Sequence, residues 1–329
     1  MKILVTGVAG FIGFHTAQRL LHEGYEVIGI DNINDYYDVT LKEKRLQQLQ
    51  HKHFTFYKVD ITDQVALQYV FQQHVFERII HLAAQAGVRY SITNPEAYIQ
   101  SNIVGYFYIL ECARQYRVSH VLYASSSSVY GANDRLPFAA QDQVDQPISL
   151  YAATKKSNEL MAHSYSSLYQ IPTTGLRFFT AYGPWGRPDM ALFTFTEKII
   201  NGEPIDIYNN GEMLRDFTYI DDIVDGIFRL LHVIPQGSIP YDVFNIGNNQ
   251  PVLLLDFIET LEKTLGMTAR KNFMPLQQGD VINTFADITP LQRATGFRAN
   301  TSIVEGIEQF VAWYIAHYQM EEAFSYESK

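Results

Sequence analysis

The chain has little cysteine and no long apolar run. Cys112 is the single cysteine among 329 residues, which excludes an intrachain disulfide framework, and its position in a helical pattern predicts a packed side chain. No stretch reaches the roughly 18 consecutive apolar residues that a membrane-spanning helix needs. The chain begins with a strand pattern in place of the apolar core of a signal peptide. We therefore expect a cytoplasmic protein with no membrane partner.

Positive charge is also scarce. Lys and Arg number 25 against 35 Asp and Glu, a formal net charge of −10, which argues against a nucleic-acid partner. Local arginines can still bind phosphates within an acidic protein, so an anionic small molecule remains a candidate substrate. The ten histidines show no close constellation of metal ligands. We predict an exposed turn at His51 and His53 and a packed strand end at His81.

The first residues contain a dinucleotide-binding pattern. The apolar run Lys2 to Thr6 leads into Gly7-Val-Ala-Gly10-Phe-Ile-Gly13 and then into a helical pattern, and this strand–turn–helix context makes a glycine motif specific. Gly7 permits the turn, Gly10 lets the backbone approach a pyrophosphate, and Gly13 lets the helix pack closely on the strand. N–H groups at the helix start would face the phosphates.

A carboxylate follows at the distance expected for an adenosine ribose contact. The next apolar run ends in Asp31, 18 residues after Gly13, close to the separation typical of dinucleotide-binding folds. A carboxylate there would repel a 2′-phosphate, so the pattern favours NAD over NADP.

Apolar strands alternate with helical stretches over the first half of the chain, which predicts an α/β fold with a doubly wound parallel sheet of the Rossmann type. Strands are predicted at 54–59, 78–81, 120–124 and 173–178, and helices at 64–73, 95–116 and 150–169. After Tyr182 the alternation of strands and helices ends, and loops and shorter elements follow. We expect an NAD-binding domain of residues 1–179, completed by a return segment of about 217–248, and a smaller α/β substrate domain of residues 180–216 plus 249–329.

Small and polar residues follow several predicted strands, at the edge where such sheets bind ligands. Asp60 and Ile61 follow the third strand, 82–84 the fourth, and 125–128 the fifth. The predicted NAD contacts are Gly7, Gly10, Phe11, Ile12, Gly13, Asp31, Asn32, Asp60, Ile61, Leu82, Ala83, Ala84, Tyr151 and Lys155.

Tyr151 and Lys155 carry the chemistry of a hydride-transfer site. Four residues apart on a predicted helix, they share a face. The Lys charge would favour phenolate and bring a pKa of about 10 toward the range of a general base. This spacing is common by chance. It indicates a hydride-transfer site here because the glycine turn and the hydroxyls at 125–128 occur in the same chain.

These motifs resemble the extended short-chain dehydrogenase/reductases. TGVAGFIG, HLAA, SSSSVYG and YAATK occur in that family's order. Within it, the segments 81–91, 176–191 and 215–224 look like those of the UDP-glucuronate 4-epimerases. The resemblance implies NAD as cofactor, a UDP-sugar as substrate, and a homodimer paired through the helices at 95–116 and 150–169. Burial within one subunit would explain the apolar faces of these helices equally well.

The resemblance also implies residue roles. Ser126 is similar to the residue that hydrogen-bonds the reacting sugar oxygen, Tyr151 to the base, and Lys155 to the residue that lowers its pKa and binds the nicotinamide ribose. Arg215 resembles the arginine that binds the diphosphate, and Asp280 part of the uridine ribose site. The implied substrate contacts are Arg89, Ser126, Ser127, Ser128, Thr180, Arg187, Arg215 and Asp280.

The implied reaction is epimerisation at C4. Tyr151 takes the C4 hydroxyl proton while hydride passes to NAD, the 4-keto sugar rotates, and the hydride returns to the other face. A C4 ketone beside a C5 carboxylate is a β-keto acid, which loses carbon dioxide when the bond to the carboxyl group is perpendicular to the carbonyl plane. Arg187 is the best candidate to hold that carboxylate bidentately, with Thr180, Ser127 and Ser128 as supporting donors.

Several alternatives remain open. Ser127 and Ser128 occupy the places of the acidic pair of related 4,6-dehydratases, which argues against dehydration, but decarboxylases share the first oxidation step. Arg187 could be a solvated loop charge, and Arg89 could only brace its loop. A 4-epimerase of neutral or N-acetylated UDP-sugars and a non-catalytic NAD-binding regulator also remain. The presence of both Tyr151 and Lys155 argues against the regulator.

Overall fold

The computed structural model describes residues 1–277 and 281–318. The strands are β1 (Lys2–Thr6), β2 (Glu26–Asp31), β3 (Phe54–Lys58), β4 (Arg78–His81), β5 (His120–Ser126), β6 (Thr173–Phe178), β7 (Thr180–Tyr182), β8 (Pro204–Tyr208), β9 (Leu214–Arg215), β10 (Phe217–Tyr219), β11 (Tyr241–Ile246), β12 (Val252–Leu253) and β13 (Arg270–Met274).

The helices are α1 (Phe11–His22), α2 (Val39–Gln48), α3 (Gln64–Gln73), α4 (Tyr90–Thr93), α5 (Pro95–Tyr98), α6 (Tyr106–Gln115), α7 (Leu150–Tyr169), α8 (Ala191–Ile200), α9 (Ile220–Leu230), α10 (Leu254–Leu265), α11 (Thr289–Thr295) and α12 (Ile303–Tyr318). A π-helix at Ile99–Gly105 joins α5 to α6, and short 3-10 helices occupy Ser127–Tyr130 and Asn209–Gly211.

Seven parallel strands form the main sheet in the order β11-β6-β5-β4-β1-β2-β3. Side chains alternate across it: Ile3 and Val5 of β1 belong to the core under α1 and α9, whereas Leu4 belongs to the core under α3 and α6. This period of two is what a strand buried on both faces requires. The predicted α/β fold with a doubly wound parallel sheet is confirmed.

Three predicted elements differ in detail from the structure. β3 ends at Lys58, one residue before the predicted end at 59. β5 continues through Ser126 instead of ending at 124, because its pairing with β6 extends to Ser126 opposite Phe178. The helix predicted at 95–116 contains a π-helical segment at Ile99–Gly105. The helices predicted at 64–73 and 150–169 have the expected bounds.

The chain after β6 crosses back to the main sheet once. β11 pairs in parallel with β6 at the sheet edge, and α9 packs with α1 on the face beneath. The remaining strands pair outside the main sheet, β7 with β10, β8 with β13 and β9 with β12.

Three smaller predictions from the sequence are confirmed by the structure. Cys112 is buried on α6, His81 is buried at the end of β4, and His51 and His53 are exposed. In the described part of the chain, no helix has both the length and the apolar character needed to cross a membrane.

Candidate active site

A cavity opens at the carboxyl edge of the main sheet, where the ends of β1, β2, β4 and β5 meet α1 and α7. It is lined by every residue predicted to contact NAD, together with Ser126 and Arg187. It also contains residues to which the sequence assigned no role: Asn34, Tyr36, Tyr37, Lys42, Gln85, Ala86, Ser101, Phe178, Phe179, Ala181 and Met190. One continuous site therefore contains both the glycine turn and the Tyr–Lys pair.

The glycine turn has no room for side chains. Gly7 has a φ of +71°, and a Cβ added there would lie 2.7 Å from the backbone nitrogen of Ala83. A Cβ on Gly13 would lie 2.0 Å from the carbonyl oxygen of Gly7. Gly10 caps α1 without a side-chain hydrogen bond, so the first N–H groups of the helix are available to a phosphate. This turn fits the pyrophosphate of a dinucleotide.

Asp31 has hydrogen-bonding capacity left for a ribose. Its Oδ2 accepts a hydrogen bond from the Ala9 N–H at 3.1 Å and its Oδ1 accepts one from the Ile33 N–H at 2.8 Å. Burial raises the pKa of Asp31, although these bonds and the nearby Lys42 charge oppose the rise. A carboxylate has about four acceptor positions, so further hydroxyl groups can be bound.

Asp60 and Asn32 brace the same end of the cavity. Asn32 Nδ2 donates to Asp60 Oδ2 at 2.8 Å, and the Thr62 N–H and hydroxyl donate to Oδ1. Burial disfavours the Asp60 carboxylate, but these donors outweigh it, so its pKa is lowered. Asp60 is therefore a fixed anion at the end of β3.

Tyr151 and Lys155 lie in the first turns of α7, which begins after Ser149. The Ser149 hydroxyl oxygen accepts from the Ala152 N–H at 3.1 Å and caps the helix. Lys155 Nζ donates to the Ala124 carbonyl oxygen at 3.0 Å, which fixes the ammonium beneath the end of β5. Burial lowers the pKa of Lys155 to about 8.

The expected effect of Lys155 on Tyr151 is corrected by the structure. Burial raises the pKa of Tyr151, and the groups that oppose this rise are the Ser126 hydroxyl and the Arg187 charge. Lys155 is directed to Ala124 instead. The phenol stays protonated because the loss of solvation that a buried phenolate would suffer outweighs these two groups. Ser126, which the sequence analysis assigned to the sugar, is thus also a partner of Tyr151.

Asn102, which the sequence analysis missed, locks these elements together. Its Nδ2 donates to the Gln85 carbonyl oxygen and to Thr154 Oγ1, both at 3.0 Å, and its Oδ1 accepts from the Gln85 N–H at 2.8 Å. Asn158 Nδ2 donates to the Asn102 carbonyl oxygen at 2.6 Å. The π-helix is therefore fixed against α7 and against the loop after β4.

Arg187 lines the same cavity as Ser126 and Tyr151, so its interpretation as a solvated loop charge is wrong. Its guanidinium is paired bidentately with Asp189, and the Arg187 side chain is 21% exposed. Thr180 lines an adjoining pocket that shares Arg187.

Arg45 fixes the backbone of the Arg187 loop. This fully buried side chain donates to the carbonyl oxygens of Ala9 at 2.8 Å, Trp185 at 2.6 Å and Gly186 at 3.2 Å. The glycine turn and the Arg187 loop are thereby joined. The fourth acceptor of Arg45 is the Tyr37 hydroxyl oxygen at 2.7 Å. No motif in the sequence marks Arg45, because the three carbonyl acceptors are backbone atoms distant along the chain.

Of the other predicted substrate contacts, Ser127, Ser128, Arg89 and Arg215 are described by the structure and lie outside the lining of the main cavity. Ser127 and Ser128 belong to the 3-10 helix after β5. The Arg89 guanidinium lies 4.7 Å from the Tyr208 ring centroid, so it joins the loop after β4 to β8. Arg215 Nη1 donates to the Ile282 carbonyl oxygen at 2.6 Å. Asp280 lies outside the described residues, and within residues 1–277 and 281–318 no three metal-ligating side chains form a cluster.

Comparison with known proteins identifies the family. The model of the NAD dependent epimerase/dehydratase family matches residues 3–247. Protein CapI of Staphylococcus aureus is 55% identical to this chain, covering 97% of this chain and all of that protein. A probable UDP-glucuronate 4-epimerase of Rhizobium meliloti is 51% identical, covering 97% of this chain and 98% of that protein.

A solved structure supports the same family assignment as these relatives. The crystal structure of UDP-glucuronic acid 4-epimerase from Bacillus cereus in complex with UDP-glucuronic acid and NAD superposes with a TM-score of 0.90 at 35% identity, covering 97% of this chain and all of that one. The present chain belongs to the NAD dependent epimerase/dehydratase family, and within it to the UDP-glucuronate 4-epimerases.

Proposed function

We propose that this protein interconverts UDP-glucuronate and UDP-galacturonate by NAD-dependent epimerisation at C4. The observation that carries the proposal is that Arg187, a group able to bind a carboxylate bidentately, lines the cavity that also holds Ser126 and Tyr151. The relatives named as UDP-glucuronate 4-epimerases support the same substrate.

NAD fits the residues present. The glycine turn and the start of α1 would hold the pyrophosphate, Asp31 the adenosine ribose, and Lys155 the nicotinamide ribose. When bound, NAD supplies the hydride acceptor and returns the same hydride, so the reaction has no net redox change. Asp31 supports the choice of NAD over NADP.

Tyr151 is the general base for the C4 hydroxyl. Burial raises its pKa, so it acts as a base only where neighbouring charge favours the phenolate at the moment of proton transfer. The Ser126 hydroxyl supports that proton transfer because it hydrogen-bonds the phenol. Lys155 contributes positive charge from a fixed position on the same helix.

Arg187 selects the uronate and protects it. A guanidinium that holds the carboxylate by two parallel hydrogen bonds fixes the torsion about the C5–carboxyl bond. Keeping that bond away from the perpendicular to the C4 carbonyl plane prevents loss of carbon dioxide from the 4-keto intermediate. Thr180, Ser127 and Ser128 are proposed as supporting donors, and Arg89, Arg215 and Asp280 as contacts of the UDP moiety.

Incubation of the purified protein with UDP-glucuronate, followed by chromatographic separation of the nucleotide sugars, tests the proposal. We expect UDP-galacturonate to form, and UDP-galacturonate offered alone to give UDP-glucuronate. Conversion of UDP-glucose or UDP-N-acetylglucosamine without conversion of UDP-glucuronate would favour the neutral-sugar alternative. Bound NAD with no turnover of any UDP-sugar would favour the non-catalytic regulator.

A homodimer through α5–α6 and α7 is part of the proposal. Ile99 and Phe107 on the first helical segment are each 41% exposed, and Leu160 and Leu168 on α7 are 59% and 68% exposed. Apolar side chains repeated two turns apart on neighbouring helices suit a helical interface. Sedimentation of the wild type against Leu160→Glu distinguishes the dimer from a monomer.

We also propose that the chain divides into an NAD-binding domain and a UDP-sugar-binding domain, and that the protein is cytoplasmic. The division assigns residues 1–179 and about 217–248 to NAD and the rest of the chain to the UDP-sugar, and limited proteolysis with and without ligands tests it. Fractionation of cells tests the cytoplasmic location.

A further inference from the structure

Asp189 binds the guanidinium of Arg187 from two residues along the same loop. Arg187 Nε donates to Asp189 Oδ1 at 2.9 Å, and Nη2 donates to Oδ2 at 2.6 Å. This bidentate pair occupies the Nε–Nη2 edge of the planar fork. The Nη1–Nη2 edge is the second edge of the same fork that can bind a carboxylate.

Asp189 is itself fixed from the other side of the cavity. Tyr36, in the loop between β2 and α2, donates from its hydroxyl to Asp189 Oδ2 at 3.0 Å. Burial and the Asp189 charge raise the pKa of Tyr36 to about 12, so the hydroxyl remains a donor. Burial disfavours the Asp189 carboxylate, but the Arg187 charge and hydrogen bonds outweigh it and lower the pKa of Asp189. Asp189 therefore stays ionised.

The loop backbone is held by other contacts. Arg45 donates to the carbonyl oxygens of Trp185 and Gly186, and the His15 ring nitrogen Nε2 lies 2.9 Å from the Pro184 carbonyl oxygen. With the backbone fixed in this way, the direction of the guanidinium depends on the torsions of the Arg187 side chain. Asp189 is the group that restrains those torsions.

We propose that Asp189 is a positioning residue that holds Arg187 by its Nε–Nη2 edge and so presents the other edge to the substrate carboxylate at one angle. The proposal rests on the proposed function and deepens it, because that angle decides whether the 4-keto intermediate is reduced or decarboxylated. In decarboxylation the C5–carboxyl bond breaks, its electron pair stays on C5 as an enolate conjugated with the C4 carbonyl, carbon dioxide leaves, and C5 takes a proton from solvent. The products are UDP-4-keto-pentose and NADH.

The competing interpretation makes Asp189 an internal competitor. If the substrate carboxylate must displace Asp189 from Arg187, then removing the Asp189 charge frees the fork and strengthens substrate binding. Positioning and competition thus predict opposite results for the same variant. Asp189→Asn keeps the size of the side chain but places an amide N–H₂ against one guanidinium N–H, so the paired geometry is lost.

The experiment compares wild type, Asp189→Asn, Tyr36→Phe and Asp225→Asn with UDP-glucuronate. Asp225 forms the matched Arg–Asp pair on the exposed face of α9, 2.6 Å from Arg229 Nε, and its variant should behave as wild type. Mass spectrometry gives the ratio of UDP-4-keto-pentose to 4-epimer, and initial rates give KM and kcat separately. Thermal unfolding verifies that each variant is folded.

We expect Asp189→Asn to raise the ratio of decarboxylated to epimerised product by roughly ten- to a hundred-fold, the range for a misplaced catalytic contact, with a higher KM. Tyr36→Phe should shift the ratio in the same direction by less. An unchanged ratio with a lower or equal KM would overturn the positioning role while wild-type epimerisation still upheld the proposed function. A wild type that leaves UDP-glucuronate unchanged would overturn both proposals.

Discussion

The buried guanidinium of Arg45 donates to the carbonyl oxygen of Trp185 at 2.6 Å, which ties α2 to the loop that carries Arg187. The same side chain donates to Ala9 in the glycine turn at 2.8 Å. The cofactor turn and the candidate carboxylate clamp therefore share one anchor. A change on one side of the cavity can be transmitted to the other through a single residue.

Replacing Arg45 with Met should therefore affect stability and cofactor retention together. The variant leaves buried carbonyl oxygens without donors, at about 1 to 3 kcal/mol each, so we expect the free energy of unfolding to fall by about 3 kcal/mol or more. Urea denaturation measures this, and enzymatic assay of the supernatant after denaturation measures copurified NAD, which should be abundant in wild type and reduced in the variant. Arg293→Met, at an exposed arginine, should change the unfolding free energy by less than about 0.5 kcal/mol.

Lys155 should give the cofactor-free protein a distinctive pH dependence. Burial lowers its pKa from 10.5 to about 8, so between those values the unfolded chain holds a proton that the folded chain has lost. Stability then rises with pH, because the cost of burying the ammonium is fully present below pH 8 and absent above 10.5. The difference in unfolding free energy between wild type and Lys155→Met should rise by about 3 kcal/mol across this interval. A flat difference in urea denaturation from pH 7 to 10 would contradict a Lys155 ammonium whose pKa is lowered by burial.

Much of the fold and of the cofactor site could be predicted from the sequence because their determinants are local. Gly7, Gly10 and Gly13 are close in sequence and their steric roles follow from the turn itself, as the close approach of Gly13 to the Gly7 carbonyl oxygen illustrates. Tyr151 and Lys155 lie on one helix, so their spacing places them in one cavity.

The features of the site that could not be predicted from the sequence depend on contacts between distant segments. Arg45 binds backbone atoms 36 and 140 residues away, and no residue pattern encodes such acceptors. Tyr36 meets Asp189 across the cavity from 153 residues away. The expected pKa of Tyr151 was wrong for the same reason, because burial and the direction of Lys155 toward Ala124 are properties of the packed structure.

Tyr151→Phe removes the ionisable oxygen and keeps the ring. Loss of general base catalysis lowers rates by about 10² to 10⁴, roughly 3 to 5 kcal/mol of barrier, and we expect kcat for UDP-glucuronate to fall within that range while the unfolding temperature stays near wild type. Tyr169→Phe, at the exposed end of the same helix, should retain wild-type kcat. A Tyr151→Phe protein with near full activity would assign the base to another group.

Arg187→Ala distinguishes a uronate epimerase from an epimerase of neutral sugars. The variant should weaken UDP-glucuronate binding by about 1.5 to 3 kcal/mol, the range for charge-assisted hydrogen bonds, and should raise the yield of UDP-4-keto-pentose while 4-epimer formation falls. It also leaves the Asp189 carboxylate without the guanidinium that it accepts from at 2.6 Å, close to where the substrate carboxylate would bind. The double variant Arg187→Ala with Asp189→Asn should therefore bind UDP-glucuronate more tightly than Arg187→Ala alone.

Calorimetric titration and mass spectrometry of the products measure both effects of Arg187→Ala. Arg229→Ala, which breaks the matched ion pair with Asp225 on α9, serves as the control and should change neither affinity nor product ratio. If Arg187→Ala leaves the affinity for UDP-glucuronate and the rate of epimerisation unchanged, the carboxylate clamp is wrong. A neutral UDP-sugar then becomes the better substrate, because no other arginine of the described chain lines the cavity that holds Tyr151.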